Sequence, residues 1–177
     1  PKKFILFVGR LSYVKGPDIL FEAFLKIKNR DQYALVYAGP DENMKGKILE
    51  KLSNLPKINN VFFLGSVTPQ VRDFCMKNAL LIVIPSRREA MSMVALETSI
   101  LGTPFLATES CGLADFSINK AGYICEPNSN SISKRLNFLL KNPEKIFITG
   151  KNAQSYVRDN YTWERILLEI NSDLNVF

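Results

Sequence analysis

The segment from Gly9 to Gly16 carries two cations, Arg10 and Lys15, between a short apolar run and an amphipathic stretch. Arginine offers planar paired donors, lysine offers a mobile point charge, and a helix that follows such a loop adds the positive end of its dipole. Together these groups can hold a diphosphate. The same residues also fit an ordinary exposed loop between a strand and a helix, so this segment alone leaves both interpretations open.

A second segment runs from Pro85 to Glu97 and places Glu89 in a loop and Glu97 about two turns into a helix. A carboxylate near a helix N-terminus can accept hydrogen bonds from sugar hydroxyls, while backbone N–H groups near Ser92 and Met93 stay free for phosphate oxygens. Each glutamate by itself also fits a solvated charge, and Ser92 fits a plain N-cap. The occurrence of both segments in one chain favours a binding site.

The elements that must position these residues are short apolar runs alternating with amphipathic stretches, a rhythm typical of a parallel sheet covered on both faces. We predict an α/β fold with an open parallel sheet of about six strands and helices on both faces. Ligands in such sheets bind beyond the carboxyl ends of the strands, where both segments fall. The predicted strands are 4–8, 34–38, 61–64, 80–84, 104–107 and 123–125, and the predicted helices are 17–28, 44–54, 68–78 with Thr68 as N-cap, 92–101, 131–140, about 144–159 and 162–174.

The composition of the chain limits the kinds of reaction that it could catalyse. The 177 residues fit one domain, and 46% hydrophobic residues indicate a globular chain. The absence of histidine from the sequence excludes Ser-His-Asp, Cys-His and His-Glu-x-x-His mechanisms. Three widely spaced cysteines, Cys75, Cys111 and Cys125, form neither a disulfide framework nor zinc-ligand spacing, which favours a reducing compartment. Carboxylates, cations and backbone dipoles must therefore carry any reaction.

The net charge of +6 comes from scattered lysines and arginines. This excess fits an anionic small ligand or an anionic membrane face as well as nucleic acid, but the chain lacks the basic stripe with interleaved aromatic residues that nucleic-acid binding favours. The longest later apolar run, 79–85, is far shorter than the roughly 20 residues of a membrane span, so we expect a soluble domain.

Six segments then follow one another in a recognisable order. They are 7–11 with Lys15-Gly16, 89–97 with its two glutamates, 95–104, Gly112 with Asp115, 122–127, and Tyr161-Thr162-Trp163. In this order they resemble the group 1, or family 4, retaining glycosyltransferases of the GT-B architecture. Two departures stand out: the family usually has Phe-Gly where this chain has Met91-Ser92, and a second glycine where it has Cys111.

The resemblance implies a Rossmann-like domain, one half of a GT-B fold, that binds a nucleotide-diphosphate sugar and transfers the sugar with retention of configuration. It assigns Gly9, Arg10 and Lys15 to the diphosphate and Glu97 to the ribose. Glu89 would contact the donor sugar, and Arg10, Lys15 and Glu89 are the catalytic candidates. The backbone at Ser92 and Met93 would complete the phosphate site, and Val67 would lie near the base.

The resemblance covers only the donor half of the GT-B fold, so residues 1–177 are expected to lack the acceptor-binding N-terminal domain and to be inactive without it. The chain contains no Asp-x-Asp pair, which agrees with a reaction that needs neither metal nor cofactor. A cytoplasmic location, at the membrane face, follows by analogy. Two alternatives stay open: a GT-B-like sugar-nucleotide epimerase and a non-catalytic module for complex assembly.

Overall fold

A single sheet of six parallel strands organises the computed structural model, which describes residues 3–55 and 57–174. Along the sheet the order is β3-β2-β1-β4-β5-β6. The strands β2 and β3 are added on one side of β1, and β4, β5 and β6 are added on the other side. The switch point lies between β1 and β4, where open α/β sheets bind their ligands. The strands are β1 (Lys3–Val8), β2 (Tyr33–Ala38), β3 (Val61–Gly65), β4 (Leu81–Ile84), β5 (Phe105–Thr108) and β6 (Tyr123–Cys125).

The predicted α/β class and the six strands are confirmed. The described residues also form eight α-helices, and two short 3₁₀ turns occupy 30–32 and 109–111. Seven helices match predicted ones to within a few residues. The helices are α1 (Pro17–Leu25), α2 (Lys45–Ser53), α3 (Pro69–Asn78), α4 (Met93–Ile100), α5 (Ala114–Ile118), α6 (Ser129–Lys141), α7 (Pro143–Asn160) and α8 (Trp163–Leu174).

Side chains alternate between the two faces of each strand, and this alternation builds two cores. Ile5 and Phe7 of β1 are buried with α1 and α6 on one face. Leu6, between them, is buried on the other face with residues of α3, α4, α5 and α7. Helices on both faces leave the carboxyl ends of the strands as the open edge of the layered structure.

Single residues with known helix-start preferences mark the first turns of the helices that border this edge. Pro17 occupies the first position of α1, where its missing N–H is no loss. Thr68 caps α3, as predicted, and its Oγ1 accepts a hydrogen bond from the Val71 N–H at 3.4 Å. The missed helix α5 spans only five residues, too few to show a helical period in the sequence.

Candidate functional site

A cleft of about 300 Å³ opens where the loops after β1, β2 and β3 meet α3 and the start of α4. Four of the predicted site residues line it, namely Gly9, Arg10, Val67 and Glu97. Two cavities of about 380 and 390 Å³ beside β6 are larger, but neither is lined by a predicted site residue. The other residues that line the cleft are Val8, Ala38, Gly39, Pro40, Ser66, Arg72 and Val94.

Backbone contact fixes the floor of this cleft. Gly39 has a φ of +150°, and a Cβ added to it would lie 2.0 Å from the Gly9 carbonyl oxygen. The Leu11 N–H donates to the Pro40 carbonyl at 2.8 Å, and the Glu42 N–H donates to the Leu11 carbonyl at 3.0 Å. The loops after β1 and β2 therefore continue the parallel pairing of their strands beyond the sheet.

Arg10 lies at the mouth of the cleft and pairs with a carboxylate that the sequence analysis did not single out. Its Nη1 lies 2.7 Å and 3.0 Å from the two carboxylate oxygens of Glu42. The side chains are 60% and 40% exposed, and an exposed pair of this kind contributes only about 0–1 kcal/mol. The guanidinium is therefore held near the cleft by a partner that an anionic ligand can replace.

Glu97 faces the cleft from the second turn of α4. Arg72 Nη1 lies 3.4 Å from Glu97 Oε1, so the two ends of this ion pair come from α3 and α4. Arg72 was missed by sequence reasoning, although one signal was present: a cation in the first turn of a helix opposes the helix dipole and needs another reason to be there.

Lys15 and Glu89 meet across the switch point. Lys15 Nζ lies 2.7 Å from Glu89 Oε1, and the Ser86 hydroxyl donates to Glu89 Oε2 at 2.8 Å. The lysine side chain is 26% exposed and the glutamate side chain 12%. The pair joins the loops after β1 and β4 but does not line the cleft that contains Arg10 and Glu97.

Arg87, one of the scattered cations that the sequence analysis did not single out, clamps the same two loops. Its backbone N–H donates to the Val14 carbonyl at 2.8 Å, and its Nη1 donates to the Tyr13 carbonyl at 2.6 Å. Two further hydrogen bonds, at 2.9 and 2.7 Å, reach the carboxylate of Asp18 in α1. The guanidinium also stacks 4.0 Å from the centre of the Tyr13 ring. Arg87 therefore fixes the loop that carries Lys15.

The contact between Arg87 and Asp18 shifts the pKa of each side chain in the direction that favours its charged form. Partial burial acts to raise the pKa of Asp18, but the hydrogen bonds and the positive charge of Arg87 outweigh it and lower that pKa below its ordinary value. The hydrogen bonds to Asp18 raise the pKa of Arg87, against the effect of burial. Both groups therefore stay charged at neutral pH, and the clamp persists there.

Ser92 and Met93 stand at the start of α4 but differ in exposure. Ser92 is fully buried, and its Oγ has no hydrogen-bond partner among the residues that the structure describes. The first turn of α4 bonds to Ser92 only through the backbone, where the Ala95 N–H donates to the Ser92 carbonyl at 3.1 Å. Ser92 therefore occupies the N-cap position of α4, as the plain N-cap interpretation held, but its side chain makes no capping hydrogen bond. Met93 is exposed, and its neighbour Val94 lines the cleft, so the first turn of α4 opens towards it.

The loop after β5 supports the loop that carries Glu89. The Glu89 N–H donates to the Ser110 carbonyl at 2.9 Å, and the Ser92 N–H donates to the Cys111 carbonyl at 3.2 Å. The expectation that the N–H of Ser92 itself stays free for a phosphate oxygen is therefore wrong. Cys111, at the position where glycine was expected, turns its thiol inward to the Thr108 hydroxyl at 3.3 Å. Burial raises the pKa of this thiol. The Cys111 departure is thus absorbed by the core and does not reach the cleft.

Comparison with known proteins decides the family. The sequence profile of the family described as "Glycosyl transferases group 1" matches residues 1–156. The chain belongs to the group 1 glycosyl transferases. An uncharacterized glycosyltransferase of Methanocaldococcus jannaschii is 32% identical over 170 residues, a match that covers 95% of this chain and 43% of that protein.

Solved structures of group 1 glycosyl transferases and their relatives share the fold. The Anabaena HepE protein, solved in complex with UDP and glucose, superposes with a TM-score of 0.84 at 21% identity, over 99% of this chain and 49% of that chain. The C-terminal domain of a group 1 glycosyl transferase, LpcC from Francisella tularensis, superposes with a TM-score of 0.82 at 19% identity, over 92% of this chain and 88% of that domain. The chain is thus a Rossmann-like half of the GT-B fold and spans less than half of the first relative and of HepE.

None of the helices within residues 3–55 and 57–174 combines the length and the apolar character that crossing a membrane requires.

Proposed function

We propose that this chain is the donor-binding domain of a glycosyltransferase and that a nucleotide-diphosphate sugar occupies the cleft between the loop after β1 and the start of α4. The observation that carries the proposal is the convergence of Arg10, Val67 and Glu97 on one cleft, with the Lys15–Glu89 pair in the adjoining loops. Membership of the group 1 glycosyl transferases and the UDP complex of HepE support a nucleotide sugar as the ligand.

Each residue has a role that its contacts support. The ribose hydroxyls bind Glu97, whose Oε1 faces Arg72 and whose other oxygen accepts from the ligand. The base lies against the loop that contains Val67. The diphosphate displaces Glu42 from Arg10, a small loss for an exposed pair. The Lys15 ammonium group donates one hydrogen bond to Glu89 and has two N–H donors left for phosphate.

Transfer proceeds with retention of configuration and without a metal ion. Negative charge builds on the departing diphosphate in the transition state. A guanidinium, an ammonium group and the N-terminus of α4 that face this diphosphate stabilise the transition state more than the ground state, which is the condition for catalysis. Glu89, held by Lys15 and Ser86, orients the hydroxyl groups of the donor sugar.

The acceptor, a glycan or a lipid-linked sugar, binds to a second domain, and the 177 residues alone bind donor but transfer nothing. A further domain is supported by the length of the relatives, because the chain covers only 43% of the Methanocaldococcus jannaschii protein and 49% of HepE. The apolar face of α8 supports it as well, because Trp163, Leu167 and Ile170, at spacings i, i+4 and i+7, are all exposed. The whole enzyme works in the cytoplasm.

The test is calorimetric titration of the chain with uridine, guanosine and adenosine diphosphate sugars. We expect one of them to bind, and Arg10→Ala, Lys15→Ala and Glu97→Ala each to weaken binding roughly tenfold or more. Arg88→Ala is the matched control, because Arg88 is an exposed neighbour of the clamp that does not line the cleft. A chelator should leave binding unchanged.

Three results would contradict the proposal. If no nucleotide sugar binds, a non-catalytic module becomes the better interpretation. If the chain converts a nucleotide sugar to its epimer, it is an epimerase. Glycosyl transfer to an acceptor by these residues alone would show that the second domain is not needed.

A further inference from the structure

A cavity of about 380 Å³ lies beside the edge strand β6, between the end of α5, the middle of α6 and the first turns of α7. It belongs to the opposite half of the sheet from β3, and none of its lining residues lines the candidate donor cleft. The residues that decide its chemistry are Lys120, Tyr123, Arg135, Phe138, Lys145 and Ile148.

The cavity is strongly basic. Lys120, Arg135 and Lys145 line it together, and none of the described lining residues is acidic. None of these three cations forms an ion pair with any residue that the structure describes. An adjoining groove shares Arg135 and Phe138 with the cavity and adds Lys134. Cations gathered without counter-charges repel one another, and a bound anion removes that repulsion.

The contrast with the candidate donor cleft is direct. In the cleft Arg10 has Glu42 and Arg72 has Glu97, and in the adjoining loops Lys15 has Glu89. Beside β6 the one acidic residue of the adjoining groove, Glu126, already accepts hydrogen bonds from Ser131 and Asn128. Glu126 keeps its negative charge, but among the described residues it forms no ion pair with the cations beside β6, so positive charge is in excess there, whereas Arg10 and Arg72 at the cleft are each paired.

Apolar side chains lie in the same wall as the cations. Phe138 and Ile148 line the cavity and are 43% and 54% exposed. Lys145 Nζ lies 5.7 Å from the centre of the Phe138 ring. The Tyr123 hydroxyl, by contrast, is engaged, because it donates to the Lys145 carbonyl at 3.2 Å and accepts from Thr149 at 2.9 Å. Exposed apolar groups beside unpaired cations are the pattern of surfaces that bind the anionic interface of a bilayer.

We propose that the cavity beside β6 binds the phosphate headgroup of an anionic lipid and docks the chain on a membrane surface. Lys120, Arg135 and Lys145 hold the headgroup phosphate, and Phe138 and Ile148 enter the interface between headgroups and acyl chains. Charge complementarity selects an anionic lipid, and the two exposed apolar side chains select a bilayer over a soluble phosphate. This proposal does not depend on the identity of the sugar donor.

The experiment is flotation of the chain with vesicles of phosphatidylcholine alone and of phosphatidylcholine with about 30% phosphatidylglycerol. We expect binding only to the anionic vesicles and release at high salt. The triple variant Lys120→Gln/Arg135→Gln/Lys145→Gln should bind on the order of 100-fold more weakly, given the contribution of each cation near an anionic surface. The control Lys28→Gln/Lys47→Gln/Lys77→Gln removes the same charge from other exposed sites and should change binding less than about threefold.

Two further arms separate a membrane from other anions. Phe138→Ser/Ile148→Ser keeps the charge and should weaken vesicle binding, while binding of inorganic phosphate, measured by thermal shift, should stay negligible in all variants. Equal loss in both triple variants, equal binding to neutral vesicles, or preferential binding of free phosphate or RNA would overturn the proposal. Circular dichroism of each variant shows whether a loss reflects misfolding.

Discussion

Arg87 and Asp18 form two hydrogen bonds side by side, from Nη1 to Oδ1 at 2.9 Å and from Nη2 to Oδ2 at 2.7 Å. Each side chain is about one quarter exposed. Paired bonds of this geometry fix orientation as well as energy. The pair therefore joins the loop after β4 to α1, and it holds Tyr13 and Val14 beside the lysine that meets Glu89.

Replacing Arg87 by glutamine should destabilise the chain by about 2 kcal/mol, because it leaves the half-buried carboxylate of Asp18 without its charged partner. Urea denaturation at neutral pH measures the loss. Arg88→Gln, an exposed change at the next position, should stay within about 0.5 kcal/mol. A loss as large in Arg88→Gln would mean that the clamp is not responsible.

The same pair predicts a pH dependence. A carboxylate whose folded pKa is lowered stabilises the fold above its unfolded pKa, about 3.9, and the stabilisation is lost as the pH falls through the folded pKa. The difference in unfolding free energy between the parent chain and Arg87→Gln should therefore be full at pH 7 and shrink below about pH 4. A difference that is the same at pH 7 and pH 3 would contradict this assignment.

Gly16→Ala should destabilise the chain by about 2 kcal/mol or more. Gly16 has a φ of +68°, and a Cβ there would lie 2.2 Å from the Pro85 carbonyl oxygen. Gly46→Ala is the matched control, because nothing lies within 4 Å of a Cβ at this helical position. There alanine should stabilise the chain by roughly 0.5–1 kcal/mol. Thermal unfolding of the two variants should move in opposite directions.

Ser92→Ala should change the free energy of unfolding by less than about 0.5 kcal/mol, because the buried Ser92 hydroxyl has no hydrogen-bond partner in the part of the chain that the structure describes. Thr68→Ala should cost about 1 kcal/mol, since Thr68 accepts a hydrogen bond from the first turn of α3. Denaturant titration of both variants compares the two helix starts. A loss at Ser92 as large as the loss at Thr68 would show that its hydroxyl has a partner.

Local signals accounted for much of the fold. The rhythm of apolar runs predicted six strands in parallel, and Thr68 predicted the start of α3, because both features depend on residues close in sequence. The placement of Lys15 beside Glu89 depends on β1 and β4 being neighbours in the sheet. The sequence indicated that both residues follow strands, but their distance follows only from the strand order.

The contacts that escaped prediction are long-range ion pairs of otherwise ordinary surface residues. Glu42 and Arg72 show no periodicity or motif, and only the folded chain brings them to Arg10 and Glu97. Arg87 and Arg88 are adjacent and identical in type, yet only Arg87 lies within reach of Asp18. Sequence spacing cannot separate such neighbours, because the difference lies in the direction of each side chain.

The Gly16 backbone lies against the Pro85 carbonyl, so the loops after β1 and β4 meet through their main chains. The close approach of the two loops requires glycine at this position, and the Arg87 side chain adds a second link between them. Arg10, Lys15 and Glu89 can then be exchanged while the distance between their backbones stays the same. On such a scaffold, single side-chain changes can alter what the loops bind while the geometry of the loops is inherited unchanged.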